Sequence, residues 1–162
     1  MGETMKSNEI RIAPHFLLSE FEDKATGLVR IHPLLPARLE ELRAAVGSPL
    51  IINSSCRTWP EHERIYRGLY GNRWPSEISL TSRHLITGPT KEALADPILA
   101  DRIKDLENPT DKTYRTCCAA DIRRVPHLSP DGLKEAAAPF FDFIKVYDWG
   151  VHVDLRQTPL ST

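Results

Sequence analysis

Two histidines and an aspartate stand where they can bind a metal: His84 in Ser82-Arg83-His84, Asp121 in Cys118-Ala119-Ala120-Asp121, and His152 in Gly150-Val151-His152-Val153-Asp154. Two imidazoles with one carboxylate are a set that a catalytic zinc site uses when its fourth position stays open for water or substrate. The neighbours are small or β-branched, which predicts that these side chains are held on strands or strand ends. Asp121 lies in an apolar run, and burying an unpaired charge there costs several kcal/mol, as an order of magnitude, unless it is paired or bound to metal. The plain alternative for Asp121 is an ion pair with Arg123 or Arg124. His152 alternates with Val151 and Val153, so on a strand it shares a face with Asp154, and a simple His–Asp hydrogen bond is the plain alternative there.

The elements that must position these residues read as an α+β domain, a small and mostly antiparallel sheet flanked by helices. Residues 34–46 predict a helix: Leu35, Leu39, Leu42 and Val46 recur at helical spacing, Pro36 suits the first turn, and Gly47 sits at the C-cap. Residues 50–52 predict a short buried strand ending in the polar run Asn53-Ser54-Ser55, and residues 60–70 a second helix. Residues 73–82 read as loop. Asp96 as N-cap, Pro97 at the first helical position and Asn108-Pro109 as the stop predict a helix of about three turns. Strands are expected over 118–123, 144–147 and 151–155, and a helix over about 129–141 with Ala136, Phe140 and Leu133 inward.

The 162 residues fit one domain with a core of its own, and the formal net charge is −1 with no block of like charges. That excludes a backbone-tracking nucleic-acid binder and a module for anionic bilayers. The first sixteen residues lack the apolar stretch of a signal peptide, and no run reaches membrane length. Synthesis in the cytoplasm and a monomer are expected. Cys56, Cys117 and Cys118 are read as small core residues rather than a metal pair, with a Cys56 bridge to one of the others as the alternative. His15, His32 and His127 are expected at the surface or in loops, His62 on a helix near the cleft, and Trp149 beside the site.

At these residues the chain resembles the zinc D-Ala-D-Ala carboxypeptidase family, which takes in VanY-type carboxypeptidases, L-Ala-D-Glu endopeptidases of phage endolysins, and the fold of the hedgehog amino-terminal domain. The resemblance rests on Ser82-Arg83-His84 with Gly88, on Ala119-Ala120-Asp121-Ile122, and on His152-Val153-Asp154. Phe16-Leu17-Leu18-Ser19-Glu20-Phe21 is similar to the opening of the short, single-domain branch. Ile51-Ile52-Asn53-Ser54-Ser55-Cys56-Arg57 is similar to its Ser-Gly-Tyr-Arg segment, with Ser55 and Cys56 replacing Gly and Tyr. The likeness spans about residues 16–157 with its order intact. It implies zinc on His84, Asp121 and His152, Arg57 holding the substrate's carbonyl or carboxylate beside Ser82, and cleavage of a peptidoglycan stem peptide. A chain of this kind suits a phage-type lysin that acts at the cell wall.

Two departures stand out. Many members carry a carboxylate base three residues before the last histidine; here that position is Trp149. Asp148 is the nearest candidate, provided that a bulge or tight turn at Gly150 swings it towards the metal; Asp154 suits orienting an imidazole. The second departure is the long separation of His84 from Asp121, which implies an insertion over about 89–116, placed to act as a lid or a substrate-selecting wall. The rival expectation is a non-catalytic metal-binding or cell-wall-binding module that keeps the fold, a reading that Trp149 favours. A purely structural zinc site would need a fourth ligand such as Cys118 or His62.

Overall fold

The computed structural model describes residues 8–104 and 115–160. Its centre is a four-stranded antiparallel sheet in the order β3-β4-β6-β5, from β3 (Ile52–Ser54), β4 (Ala119–Arg123), β5 (Phe143–Tyr147) and β6 (Gly150–Asp154). A separate two-stranded hairpin, β1 (Arg11–Ala13) with β2 (Phe16–Leu17), precedes a 3-10 turn at Leu18–Phe21. Among the described residues five α-helices complete the α+β fold: α1 (Leu35–Val46), α2 (Trp59–Tyr70), α3 (Lys91–Leu94), α4 (Pro97–Ile103) and α5 (Pro130–Ala137). None of the described helices is long and apolar enough to cross a membrane.

Strand alternation divides the sheet into a core face and a site face. Ala120 and Ile122 of β4 and Val151 and Val153 of β6 are fully buried, and they pack with Leu35, Leu39 and Leu42 of α1 and with Leu133 and Ala137 of α5. The other face carries Asp121 opposite His152, and His152 opposite Lys145. On β3 a register shift separates Ile52, paired to Ile122, from Ser54, paired to Asp121. That irregularity returns Ser54 to the site face, and the polar residues Asn53 and Ser54 form the edge strand instead of following it. A short, polar edge is one way of blunting unpaired strand pairing.

Helix α1 runs as its apolar spacing predicts, and Gly47 closes it at φ 66°, where a side chain is disfavoured. Asp96 caps α4 by accepting from the N–H groups of Ile98 and Leu99, and Ser129 caps α5 by accepting from Gly132. Helix α5 stops short of residue 141; Pro139 has no N–H to continue the ladder. Leu133 and Ala137 are its buried residues, while Ala136 and Phe140 are only half-buried. In the insertion, Ala93, Leu99 and Ile103 close against Trp59, Ile78 and Leu85 to form a second core, with Ile98 turned to solvent. The expected stop at Asn108-Pro109 lies outside the described residues.

His32 corrects the sequence reading. It is buried, and its Nε2 lies 3.0 and 3.1 Å from the carbonyls of Thr158 and Pro159, so it ties the last described segment to the body. His15 is exposed and pairs with Glu40, and His127 meets the Val46 carbonyl from its turn. His62 is fully buried between the rings of Trp59 and Tyr66, with Nε2 on the Ser79 carbonyl at 2.6 Å. Burial pushes its pKa down to about 4, against the smaller opposing effect of the Ser79 carbonyl. A histidine neutral in the fold but titrating near 6.5 when unfolded stabilises the protein fully above pH 6.5, and that contribution drains away as pH falls towards 4. We expect His62→Gln to flatten the acid limb of a urea-unfolding series by about 3 kcal/mol relative to wild type. Parallel pH curves for the two proteins would contradict this.

Candidate metal centre

The antiparallel register that opposes Asp121 to His152 sets a carboxylate and an imidazole side by side on one face, at cross-strand pairing distance. His84 arrives from outside the sheet, in a segment that exchanges backbone hydrogen bonds with the Arg57 turn. The Arg57 N–H donates to the His84 carbonyl, and the Ile86 N–H to the Arg57 carbonyl, each at 2.8 Å. The Cys118 N–H donates to the Arg83 carbonyl at 3.2 Å, which fastens the same segment to the entry of β4.

Three atoms close on one point. His84 Nε2 is 3.1 Å from Asp121 Oδ1 and 3.1 Å from His152 Nδ1, and His152 Nδ1 is 3.0 Å from Asp121 Oδ1. The outer nitrogens fix the tautomers. His84 Nδ1 faces the Ser55 carbonyl at 2.7 Å, which only accepts, so Nδ1 carries the proton and Nε2 presents a lone pair. His152 Nε2 faces Asp154 Oδ2 at 2.8 Å, so its proton lies there and Nδ1 is the inward nitrogen. Two lone pairs and a carboxylate oxygen turned on one another repel unless a positive charge sits among them. Zinc bonded to nitrogen and oxygen at about 2.0–2.1 Å in a tetrahedron needs ligand atoms about 3.3 Å apart, close to the spacing found. His84, Asp121 and His152 form a group that can hold a metal ion.

The electrostatics say the same. Burial alone would raise the Asp121 pKa, but His84, His152 and Arg57 together hold it far below the usual carboxylate range. Burial depresses His84 against the pull of Asp121. For His152 burial is outweighed by its hydrogen bonds to Asp121 and Asp154, and its pKa is raised. Without a metal, the site therefore favours a proton on His152, and a cation held among the three donors would answer the same negative field. Ligand basicity and orientation are in turn set by Asp154, fully buried, gripped by Arg156 at 2.7 Å, and held at a pKa of about 2 despite its burial. We expect Asp154→Ala to weaken divalent-metal affinity about 10–100-fold in competition with a chromophoric chelator. Unchanged affinity would show that His152 is oriented by something else.

The centre opens into a cleft of about 450 Å³ that is lined by residues including Arg57, Tyr66, Ser82, Lys145, Tyr147 and Trp149. Arg57 donates from Nη2 to Asp121 Oδ2 at 2.8 Å and from Nε to Ser54 Oγ at 2.9 Å, so it braces the carboxylate that faces the metal position. This partnership, rather than an ion pair with Arg123 or Arg124, is what the sequence reading missed. Ser82 Oγ accepts from the His84 N–H at 3.3 Å on the cleft wall. Trp149 is 40% exposed and stacks on Tyr147 with ring centroids 4.8 Å apart, which makes the pair a flat rim. Tyr66, Lys145 and Tyr147 were not singled out from the sequence. The alternation of Phe143, Lys145 and Tyr147 beside the His152 strand was the signal available.

Asp148 is not brought to the cleft. β5 and β6 pair in unbroken register up to Tyr147 opposite Gly150, so Asp148 and Trp149 are the two residues of an exposed turn, and only Trp149 reaches the lining. Asp121, with both oxygens engaged, is the one carboxylate among the described lining residues. Cys56, Cys117 and Cys118 are buried thiols, unbridged; burial pushes the Cys118 pKa up to about 11. Neither His62 nor Cys118 joins the metal-holding group, which leaves three protein ligands among the described residues. Compared with known proteins, the chain has no match: no family model, no curated protein and no solved structure matches it.

Proposed function

We propose that this chain is a zinc-dependent peptidase that hydrolyses a peptide bond in peptidoglycan stem peptides, as a carboxypeptidase or an endopeptidase. The observation that carries the reading is the closure of His84 Nε2, His152 Nδ1 and Asp121 Oδ1 on one point at the wall of an open cleft. Nitrogen and oxygen donors in this number suit zinc with a free position, and zinc bound there supplies an acidified water and a polarised carbonyl. The chain's own residues do the rest. Asp154 and the Ser55 carbonyl keep both imidazoles in the ligating tautomer. Arg57 steadies Asp121 and, from the cleft wall, is the fixed guanidinium to meet a substrate carbonyl or carboxylate. Trp149 and Tyr147 offer a flat apolar edge to the peptide. The resemblance of these motifs to those of the D-Ala-D-Ala carboxypeptidase family supports the substrate class.

One observation favours a second reading, a metal-holding binding module without hydrolysis. Proton transfer to the leaving amine needs an acid or base within reach of the reacting atoms, and Asp148 stands in an exposed turn. Zinc-loaded protein incubated with purified peptidoglycan separates the two. New amino groups released by wild type and abolished by His152→Ala are expected for the peptidase, and Asp148→Asn, outside the cleft, should leave that release unchanged. Stoichiometric zinc with no amino groups released from any wall preparation would establish the module instead.

A further inference from the structure

The Ser82–Arg83 segment has a second side. Across it from the metal cleft lies a pocket of about 570 Å³ whose lining includes Leu80, Arg83, Arg115, Thr116, Leu155 and Arg156. The two cavities share Thr81, Ser82, Arg83 and Arg156, so they adjoin along that segment. No carboxylate lines the second pocket among the described residues, although three arginines do. Arg156 is neutralised by Asp154, whereas Arg83 and Arg115 have no acidic partner among the described residues. In a chain of net charge −1 this excess of arginine over carboxylate among the described lining residues is local, and such a concavity focuses an anion.

The placement of Arg115 is built in. Its N–H donates to the Ile86 carbonyl at 2.7 Å, and the Cys117 N–H donates to the Arg30 carbonyl at 2.8 Å, which pins the chain where the long insertion rejoins the body. Arg83 is held from the other side, between Ser82 and the ligand His84, with its carbonyl bonded to Cys118. The separation of His84 from Asp121 thus delivers a cation to the pocket beside the metal cleft. Two planar guanidinium groups from different segments, both facing one cavity, match the oxygens of a carboxylate.

We infer that this pocket is a carboxylate-binding subsite for the ligand of the metal cleft: a peptide whose acidic group lies across Ser82–Arg83 from the bond held at the centre. The inference rests on the peptide-ligand reading above. It is tested by calorimetric binding of two synthetic stem tetrapeptides to the zinc-loaded protein, one with its glutamyl α-carboxylate free and one amidated there, with products followed by chromatography. Wild type is expected to bind the free acid about tenfold more tightly. Arg115→Gln should bring the two affinities together with zinc content unchanged, while Arg115→Lys keeps most of the preference. Equal affinities in wild type, no binding of either peptide, or an equal loss for both in Arg115→Gln would each overturn the subsite. Discrimination without cleavage leaves the subsite standing and removes the peptidase; cleavage without discrimination does the reverse.

Discussion

Asp121→Asn is expected to empty the centre of metal while leaving the protein folded. Asp121 Oδ1 sits against the two inward imidazole nitrogens and Oδ2 accepts from Arg57. An asparagine can turn its carbonyl to Arg57 and its amide N–H groups to the imidazole lone pairs. The repulsion that calls for a cation is then relieved by hydrogen bonds, and the anionic ligand is gone. Zinc affinity should fall by more than the roughly 10–100-fold that loss of an outer partner costs, and chelator-treated wild type and variant should unfold within about 1 kcal/mol of each other. Asp121→Leu is the contrast. It strands the buried Arg57 without its carboxylate and is expected to cost about 3–5 kcal/mol. Urea titrations with and without chelator, run beside metal analysis, check both. An asparagine variant that retained one zinc per chain would show that the carboxylate is not a ligand.

The second large effect belongs to Gly150. It has φ 152°, and a Cβ built there lies 1.9 Å from the Ile122 carbonyl oxygen and 3.0 Å from backbone atoms of Arg123 and Arg124. Those are main-chain atoms of the neighbouring strand, which cannot yield without parting β4 from β6. Gly150→Ala is therefore expected to destabilise by about 3 kcal/mol or more. Because the same pairing opposes Asp121 to His152, zinc affinity should fall with it. Gly47→Ala is the matched control: φ is 66°, nothing lies within 4 Å, and only the left-handed backbone is penalised, by about 1–2 kcal/mol. Similar losses at the two sites, measured as urea midpoints, would refute the close-approach argument.

What could be read from the sequence depended on the range of the interaction involved. Helix α1 carries its period, stop and cap within a dozen residues, and the alternation of Val151, His152 and Val153 assigns two faces without reference to any neighbour. The ligand trio was legible for a similar reason: a charge among alanines and a histidine among valines each call for a partner. Relations between strands were less accessible. Asn53 and Ser54 read as a tail because their strand character comes from pairing to β4, and the hairpin of β1 and β2 is too short to show a period. His32 resembled a surface residue beside Pro33, since its burial is created by a segment more than a hundred positions later. The sequence puts Asp148 at the metal only if Gly150 bends the hairpin inward. Gly150 is needed for a different reason, the close passage of Ile122, and the register carries Asp148 to the tip. Arg57 reads from the sequence as a substrate-binding residue, and its hold on Asp121 depends on β3 and β4 lying side by side.

X-ray absorption at the zinc edge of the zinc-loaded protein tests the central claim most directly, with metal content determined on the same sample. About one zinc per chain, with a first shell of nitrogen and oxygen at about 2.0–2.1 Å and two imidazole scattering patterns, is the predicted result. One of those patterns should disappear in His152→Ala. A folded protein without stoichiometric metal, or a first shell containing sulfur at about 2.3 Å, would contradict the centre built from His84, Asp121 and His152.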